Sequence, residues 1–198
     1  NRVERLGGQK LQIHEMSQFR EVAIHVPRLC RALDRPVIFE GLLFAASAFR
    51  NAVRKRGQPV SLTTPESRDY IVDIEDGLLR LTLNRPEQSN AMTSAMTPML
   101  IDLFEAARQR PDVRAIHIRG EGRNFSAGGD VPGFARTLEM TVADRQQEFR
   151  GRIARLGRLV QAVVNFPGPV VVEVRGGAAG AGLLFALAAD YVIGDETS

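Results

Sequence analysis

The chain has 198 residues, of which 44% are hydrophobic and 25% are charged, and its net charge is +3. This ordinary globular balance predicts one domain, or one domain with a sizeable appendage. The single cysteine, Cys30, excludes an internal disulfide and favours a reducing compartment, so we expect a cytoplasmic protein. The uncharged run at residues 176–189, which no other uncharged run exceeds in length, is too short and too rich in glycine to span a bilayer, which takes about 18 or more apolar residues.

Residues 1–60 are predicted to form a mostly helical extension of unknown role. Apolar residues recur there at helical spacing, interrupted by Pro27. They are Phe19, Val22, Ala23, Val26, Cys30 and Leu33. The excess of positive charge also lies in this segment, which suits either an anionic partner or a solvated helix face. Because no nucleic-acid signature accompanies the charge, we expect no nucleic-acid partner. Residues 61–69 are predicted to be a linker.

The pattern changes to α/β at Tyr70. Two alternating segments, residues 70–74 and 79–83, flank Asp76-Gly77 and predict a β-hairpin. A helix is then predicted to run to about residue 110, capped by Thr93 or by Thr97. The second cap would place a proline, Pro98, at the first helical position.

The remaining elements are predicted from the same patterns. We expect a strand at 113–119, a long helix at 141–165 beginning at Thr141, and a buried strand at 170–174. A helix of small residues should follow at 181–189, and a last strand at 191–193. This order predicts an α/β fold of short repeating units.

Two glycine-rich loops are the strongest candidates for a functional site. The first, residues 124–130, follows a predicted strand, and the second, residues 176–182, joins a buried strand to a helix. Glycine allows the backbone to approach a ligand closely. The first turn of the helix also offers unpaired N–H groups that suit a phosphate, a carboxylate or a developing oxyanion. The alternative is that both loops are simply tight turns.

Other chemistries lack their motifs. There is no Gly-Lys-Ser/Thr phosphate loop, and the dinucleotide fingerprint would need a glycine at Phe185. No nucleophile elbow and no metal cluster is present in the sequence, so no metal site is expected. The three histidines, His14, His25 and His117, are scattered and are predicted to be structural or exposed.

Three segments, in this order, carry a resemblance to a known family. They are Leu83-Asn84-Arg85-Pro86 with Asn90-Ala91-Met92, Phe125 to Asp130, and Pro169-Val170-Val171 with the second loop and Ala189-Asp190. Residues 70–198 resemble the crotonase (enoyl-CoA hydratase/isomerase) superfamily. The resemblance implies a crotonase-like spiral of β-β-α repeats, a C terminus truncated relative to family members, and a trimer-based homo-oligomer.

The resemblance also implies the roles of individual residues. The backbone N–H groups of Gly129 and Ala181 are expected to converge on the thioester oxygen of an acyl-CoA and stabilise its enolate. The residues expected to contact the substrate are Gln88, Ser89, Ala91, Ala127, Asp130, Val131 and Leu184. The CoA thioester is then the substrate, and no separate cofactor is expected.

One position departs from the family pattern. Leu184 stands where hydratases of the family carry the first of two glutamates, and leucine cannot transfer a proton. Isomerase-type proton transfer is therefore favoured over hydration, and the later acid used by isomerases would lie past Ser198. Asp130 and Asp190 are expected to be structural. The candidate bases that remain are Glu139, Asp144, Glu148 and Glu173.

The function predicted from the sequence is an acyl-CoA enzyme of the enoyl-CoA isomerase/hydratase type. Two alternatives stay open: a non-catalytic module that binds acyl-CoA, and a thioester hydrolase or decarboxylase that uses the same oxyanion hole.

Overall fold

The structure is a computed structural model and describes residues 22–25 and 68–198. Six strands form one mixed sheet in the order β1-β6-β5-β4-β3-β2. The strands are β1 Val22–His25, β2 Tyr70–Glu75, β3 Leu78–Leu83, β4 Ala115–Gly120, β5 Val170–Val174 and β6 Tyr191–Gly194. Strands β3 to β6 are parallel, while β2 and β1 pair antiparallel at the two edges. The predicted α/β class is confirmed.

Four α-helices lie in the described part of the chain. They are α1 Met96–Arg108, α2 Val131–Ala135, α3 Val142–Val164 and α4 Gly180–Leu187. Alternate residues of the central strands point into a core with α1, α3 and α4. This core contains Leu79, Leu81, Leu83, Ile116, Ile118, Val170 and Val172 from the sheet, and Leu100, Phe104, Leu159, Val163 and Phe185 from the helices. None of the described helices combines the length and the hydropathy needed to cross a membrane.

The hairpin is confirmed, and its turn explains its register. Asp76 and Gly77 have φ values of 50° and 81°, which match the left-handed turn typical of two-residue hairpins. Tyr70 pairs with Leu83, and Glu75 pairs with Leu78. This register turns one side of the hairpin towards the core and leaves the other side polar.

The first turn of α1 decides between the two predicted caps. The N–H of Met96 donates a hydrogen bond to Oγ1 of Thr93 at 3.1 Å. The Thr97 alternative is wrong, because the helix already includes Thr97 and Pro98. The predicted start of α3 is confirmed: Thr141 precedes the helix and its side chain accepts a hydrogen bond from the N–H of Asp144 at 3.2 Å.

Strand β1 corrects the helical prediction for part of the front segment. Val22 lies opposite Gly194 and His25 lies opposite Tyr191, so these residues extend the sheet. Valine and isoleucine favour strands, and a helical spacing read over a few residues does not separate the two states. Pairing with β1 also covers backbone groups of β6 that would otherwise form a bare sheet edge. The rest of the predicted extension, and residues 61–67 of the predicted linker, lie outside the described residues.

Asn90 joins two backbone segments near the functional loops. It is fully buried and adopts a φ of 53°, a conformation that asparagine tolerates better than most residues. Its Oδ1 accepts a hydrogen bond from the N–H of Arg85 at 2.8 Å. Its Nδ2 donates to the carbonyl oxygens of Glu121 and Asn124, each at 2.8 Å. One amide side chain therefore fixes the segment after β3 against the segment after β4.

We expect Asn90→Asp to lower the free energy of unfolding by about 2–3 kcal/mol, because a carboxylate would face two carbonyl oxygens that now accept hydrogen bonds. Urea unfolding measures the change. The matched control is Asn84→Asp, because Nδ2 of Asn84 makes one exposed hydrogen bond, to the carbonyl of Arg68 at 3.2 Å. A loss for Asn90→Asp no larger than that of the control would contradict this role.

Candidate active site

The two glycine-rich loops lie side by side at one edge of the sheet. They follow β4 and β5, which are parallel neighbours, so both loops begin at the carboxyl ends of the parallel strands. A parallel bridge joins Ser126 to Ala178. The N–H of Ser126 donates to the carbonyl of Gly177 at 3.3 Å, and the N–H of Ala179 donates to the carbonyl of Ser126 at 2.9 Å. The loops are thus held in contact by their own backbones.

This contact depends on glycine at two positions. Gly128 has a φ of +89°, and a Cβ there would lie 2.5 Å from the carbonyl oxygen of Ala179 and 3.0 Å from the nitrogen of Ala181. A Cβ on Gly182 would lie 2.6 Å from Oγ of Ser126. Larger residues would force the loops apart, so the glycines permit the backbone of the first loop to reach the start of α4.

The N–H of Gly129 points away from the segment that pairs with it. In the bridge between Met92 and Gly129, the N–H of Met92 donates to the carbonyl of Gly128 at 2.7 Å. The N–H of Asp130 donates back to the carbonyl of Met92 at 3.1 Å. In a parallel bridge these two bonds leave the N–H of the middle residue, Gly129, on the opposite side.

The N–H of Ala181 is also available. Ala181 is the second residue of α4, and N–H groups in the first turn of a helix have no acceptor within the helix. Within residues 68–198, neither this N–H nor that of Gly129 donates a hydrogen bond to a protein acceptor. Both residues line one cavity of about 330 Å³.

Four of the residues predicted from the sequence line this cavity. They are Ala127, Gly129, Val131 and Ala181. Ser89 and Ala91 lie beside the first loop instead, where the carbonyl of Ser89 accepts a hydrogen bond from the N–H of Ala127 at 2.8 Å. Gln88 accepts from the N–H of Ala91 at 3.0 Å within the same turn. The segment 88–91 thus adjoins the cavity without lining it.

Asp130 and Leu184 do not line the cavity either. Asp130 is the residue before α2, and its side chain makes no capping hydrogen bond there. Leu184 is 49% exposed on α4, next to exposed Leu183, while Phe185 and Ala186 face the core. The structural role predicted for Asp190 is confirmed, because its Oδ2 accepts a buried hydrogen bond from the N–H of Val170 at 2.8 Å.

The sequence reasoning missed one wall of the cavity, which is formed by α3. Phe149, Arg152, Ile153 and Leu156 line it at the spacing of one helix face, and Arg155 lies beside them. The signal was present in the sequence as apolar residues at helical spacing within an arginine-rich helix. Ile153 is 69% exposed, although it belongs to this apolar face.

Two aromatic rings and an arginine, from α2 and α3, pack together in the cavity lining. The rings of Phe134 and Phe149 meet edge to face with centroids 5.5 Å apart. The guanidinium carbon of Arg152 lies 4.8 Å from the centroid of Phe134 and 5.6 Å from that of Phe149. The remaining lining residues come from the start of α1 and the segment before it: Met92, Thr93, Ser94 and Thr97.

None of the four candidate bases lines the cavity. Asp144 is engaged at the start of α3, where its Oδ2 accepts a hydrogen bond from the hydroxyl of Thr141 at 2.7 Å. Glu148 accepts a hydrogen bond from Nε of Arg152 at 2.8 Å. Glu139 is exposed in a 3-10 helix.

Glu173 lies on the polar face of the sheet. Its carboxylate is 3.3 Å from Nε2 of His117 and 2.8 Å from Nη2 of Arg175. The hydrogen bond from His117, followed by the charge of Arg175, lowers the pKa of the Glu173 carboxyl against the effect of its partial burial. His117, predicted to be structural or exposed, is partly buried in this contact and does not line the cavity. His25 lies in β1, and His14 lies outside the described residues. In the described part of the chain, no cluster of His, Cys, Asp or Glu could hold a metal ion.

Comparisons with known proteins agree on one family. The family model described as enoyl-CoA hydratase/isomerase matches residues 73–198. A Rhodobacter capsulatus protein named "Probable enoyl-CoA hydratase" is 38% identical over 127 residues, covering 64% of this chain and 46% of its own. The trans-2-decenoyl-[acyl-carrier-protein] isomerase of Streptococcus mutans is 32% identical over 130 residues, covering 65% and 48%.

A solved structure supports the same assignment. The enoyl-CoA hydratase/isomerase from Marinobacter aquaeolei matches with a TM-score of 0.59 and 27% identity, covering 63% of this chain and 47% of that one. The chain belongs to the enoyl-CoA hydratase/isomerase family, and its fold is that of the crotonase superfamily. It spans about half the length of the curated relatives it matches.

We expect Gly128→Ala to destabilise the junction of the two loops, because alanine would sit at a left-handed φ against the backbone of Ala179. The left-handed conformation alone costs about 1–2 kcal/mol. Gly157→Ala is the matched control: a Cβ there meets nothing within 4 Å in the middle of α3, and alanine should raise stability by about 0.5–1 kcal/mol. Chemical denaturation distinguishes the two, and equal stabilisation by both changes would refute the close contact.

Glu173 should make folding stability depend on acidic pH. Its carboxyl titrates lower in the folded state than its ordinary value of 4.5. Its contribution is therefore fully present above that value and is lost as the pH falls through the folded pKa. Unfolding measured between about pH 6 and pH 2 should show a weaker decline for Glu173→Gln than for the wild type, with the exposed Glu139→Gln as control. Identical pH profiles for all three proteins would contradict the assignment.

Proposed function

We propose that this chain binds an acyl-CoA and polarises its thioester carbonyl between the N–H groups of Gly129 and Ala181. The observation that carries the proposal is that these two groups, from separate loops, line one cavity and donate to no acceptor in residues 68–198. Both residues are partly exposed to the cavity, so a ligand there can reach their N–H groups. An oxygen of a bound ligand would satisfy both.

The chemistry of a thioester fits this pair of donors. Removing a proton next to the carbonyl, or adding a nucleophile to the conjugated double bond, places negative charge on the thioester oxygen. Donors that are already fixed by the loop contact stabilise that charge without reorganisation. Loss of one such donor typically costs about 2.7–4 kcal/mol of barrier.

For the reaction, we propose isomerisation of an enoyl-CoA in preference to hydration by two glutamates. By the resemblance, Leu184 stands where hydratases carry the first of two glutamates, and leucine cannot transfer a proton. Isomerisation needs the enolate as an intermediate and moves one proton along the acyl chain. The oxyanion pair supplies the intermediate's stabilisation in either reaction.

The CoA moiety is proposed to lie along the segment 88–91 and the first loop. Ser89 and Ala91 adjoin Ala127, which lines the cavity next to Gly129. The Streptococcus mutans relative is named for an acyl-carrier-protein substrate. A comparison of the same acyl group on CoA and on acyl carrier protein separates these carriers. The trimer-based homo-oligomer and the cytoplasmic location stay predictions from the sequence.

A binding module without catalysis is the second candidate, and it is favoured by the lack of a carboxylate in the lining formed by the described residues. Incubating the protein with a 3-enoyl-CoA and with a 2-enoyl-CoA distinguishes the two. Interconversion supports the isomerase and water addition supports the hydratase. Binding of both esters without turnover supports the module, and no binding of any CoA ester would overturn both candidates.

Ala181→Pro tests the oxyanion donor directly. Proline lacks the N–H but is tolerated in the first turn of a helix, where that N–H has no helical partner. We expect kcat/KM for enoyl-CoA turnover to fall about 100- to 1000-fold. Ala181→Gly keeps the N–H and should lose much less, and thermal unfolding of both variants reports on folding. Equal activity of the two variants would contradict the proposed donor.

A further inference from the structure

The cavity that holds the two donors also carries positive charge on the α3 wall. Arg152 and Arg155 both line it, among the apolar side chains of Phe149, Ile153 and Leu156. The nearest acid on the same helix is Glu148, one turn before Arg152. Within residues 68–198, Glu148 is the one carboxylate within 4.0 Å of either guanidinium, so these three side chains carry a net charge of +1.

Arg152 is already engaged by its neighbours. Its Nε donates to Oε1 of Glu148 at 2.8 Å, and its guanidinium packs over the rings of Phe134 and Phe149. Its side chain is 19% exposed. These contacts fix the position of Arg152 and use the carboxylate of Glu148, so Arg152 serves mainly to build the wall.

Arg155 is held much less tightly. Its Nη2 lies 3.7 Å from the same Oε1 of Glu148, which is longer than a hydrogen bond. Its side chain is 28% exposed and makes no side-chain hydrogen bond within residues 68–198. Its Nη1 lies 3.4 Å from where a Cβ of Gly151 would be, so the guanidinium folds back along the helix over a glycine. The N–H groups at the edges of this guanidinium therefore have no hydrogen-bond acceptor within residues 68–198, although the group lines the cavity.

The chemistry of a guanidinium narrows what that ligand is. A partly buried guanidinium is stabilised by an anion, and a carboxylate matches its donors in a two-bond arrangement. The cavity of about 330 Å³ contains both this arginine and the donors proposed for the thioester oxygen. A short acyl group with a second carboxylate has one group for the two N–H donors and one for Arg155.

We infer that Arg155 binds a carboxylate at the far end of the acyl group, so that the preferred substrates are CoA monoesters of short dicarboxylic acids. This inference rests on the proposed acyl-CoA function and adds the class of acyl group. Arg155 is then a specificity-determining residue, and Glu148 and Gly151 position it.

Calorimetry of the full chain with glutaryl-CoA and pentanoyl-CoA tests the inference. The two esters have acyl chains of equal carbon number and differ in a terminal carboxylate or methyl group, and neither carries the double bond needed for turnover. We expect glutaryl-CoA to bind at least about tenfold tighter, with the preference declining as salt is raised. Arg155→Met should abolish the preference and Arg155→Lys should keep part of it. Arg158→Met, an exposed change on the same helix, should leave it intact.

The calorimetric results distinguish a failure of this inference from a failure of the proposed acyl-CoA function. Equal affinity of the wild type for both esters would overturn the inference and leave the acyl-CoA site standing. An equal weakening of both esters by Arg155→Met would also overturn it, because the arginine would then act on the CoA moiety. Binding of neither ester would overturn the proposed function itself.

Discussion

The close contact between the two glycine-rich loops is the constraint on which the site depends. The bridge between Ser126 and Ala178 sets their register, and Gly128 lets one backbone approach the start of α4. The two proposed donors come from separate loops, so their position around one cavity depends on the contact between those loops. Because β4 and β5 pair in parallel, both loops lie at the carboxyl ends of these strands. Fold and site are therefore linked through backbone geometry more than through side-chain chemistry.

The proposed donors and the proposed specificity residue come from different parts of the chain, namely the two loops and α3. The donors are main-chain groups, so they are fixed by hydrogen bonds that any sequence with the right glycines can make. The wall opposite is made of side chains from α2 and α3, and the ring of Phe134 packs directly against Gly129. Under the proposed function, main-chain groups polarise the thioester and side chains select the acyl group, which agrees with the rule that one fold can carry several reactions.

Much of the fold could be predicted from the sequence because its signals are local. The alternation in β2 and β3, the Asp76-Gly77 turn and the threonine before α3 each depend on a few neighbouring residues. The glycines at 128 and 129 also mark a close backbone approach without the fold being known. Strand β1 could not be predicted in the same way, because its partner β6 lies far along the chain and its short apolar pattern also fits a helix.

The α3 wall of the cavity could not be predicted from the sequence either. The apolar spacing of Phe149, Ile153 and Leu156 predicts an apolar helix face, but which loop that face meets is decided by tertiary packing. For Leu184, the resemblance assigns the position to the catalytic site. In the structure, however, its side chain is half-exposed and does not line the cavity. Glu148 pairs with Arg152 and Arg155 because the three residues lie on one face of α3, and no sequence motif marks this pairing.

The most direct measurement of the central claim is the infrared stretching frequency of the thioester carbonyl. A CoA ester labelled with ¹³C at that carbon gives a band that can be resolved from the protein by isotope difference. If Gly129 and Ala181 both donate to the oxygen, the band of the bound ester shifts to lower frequency than that of the free ester in water. A bound ester whose carbonyl band stays at or above the free value would contradict the account.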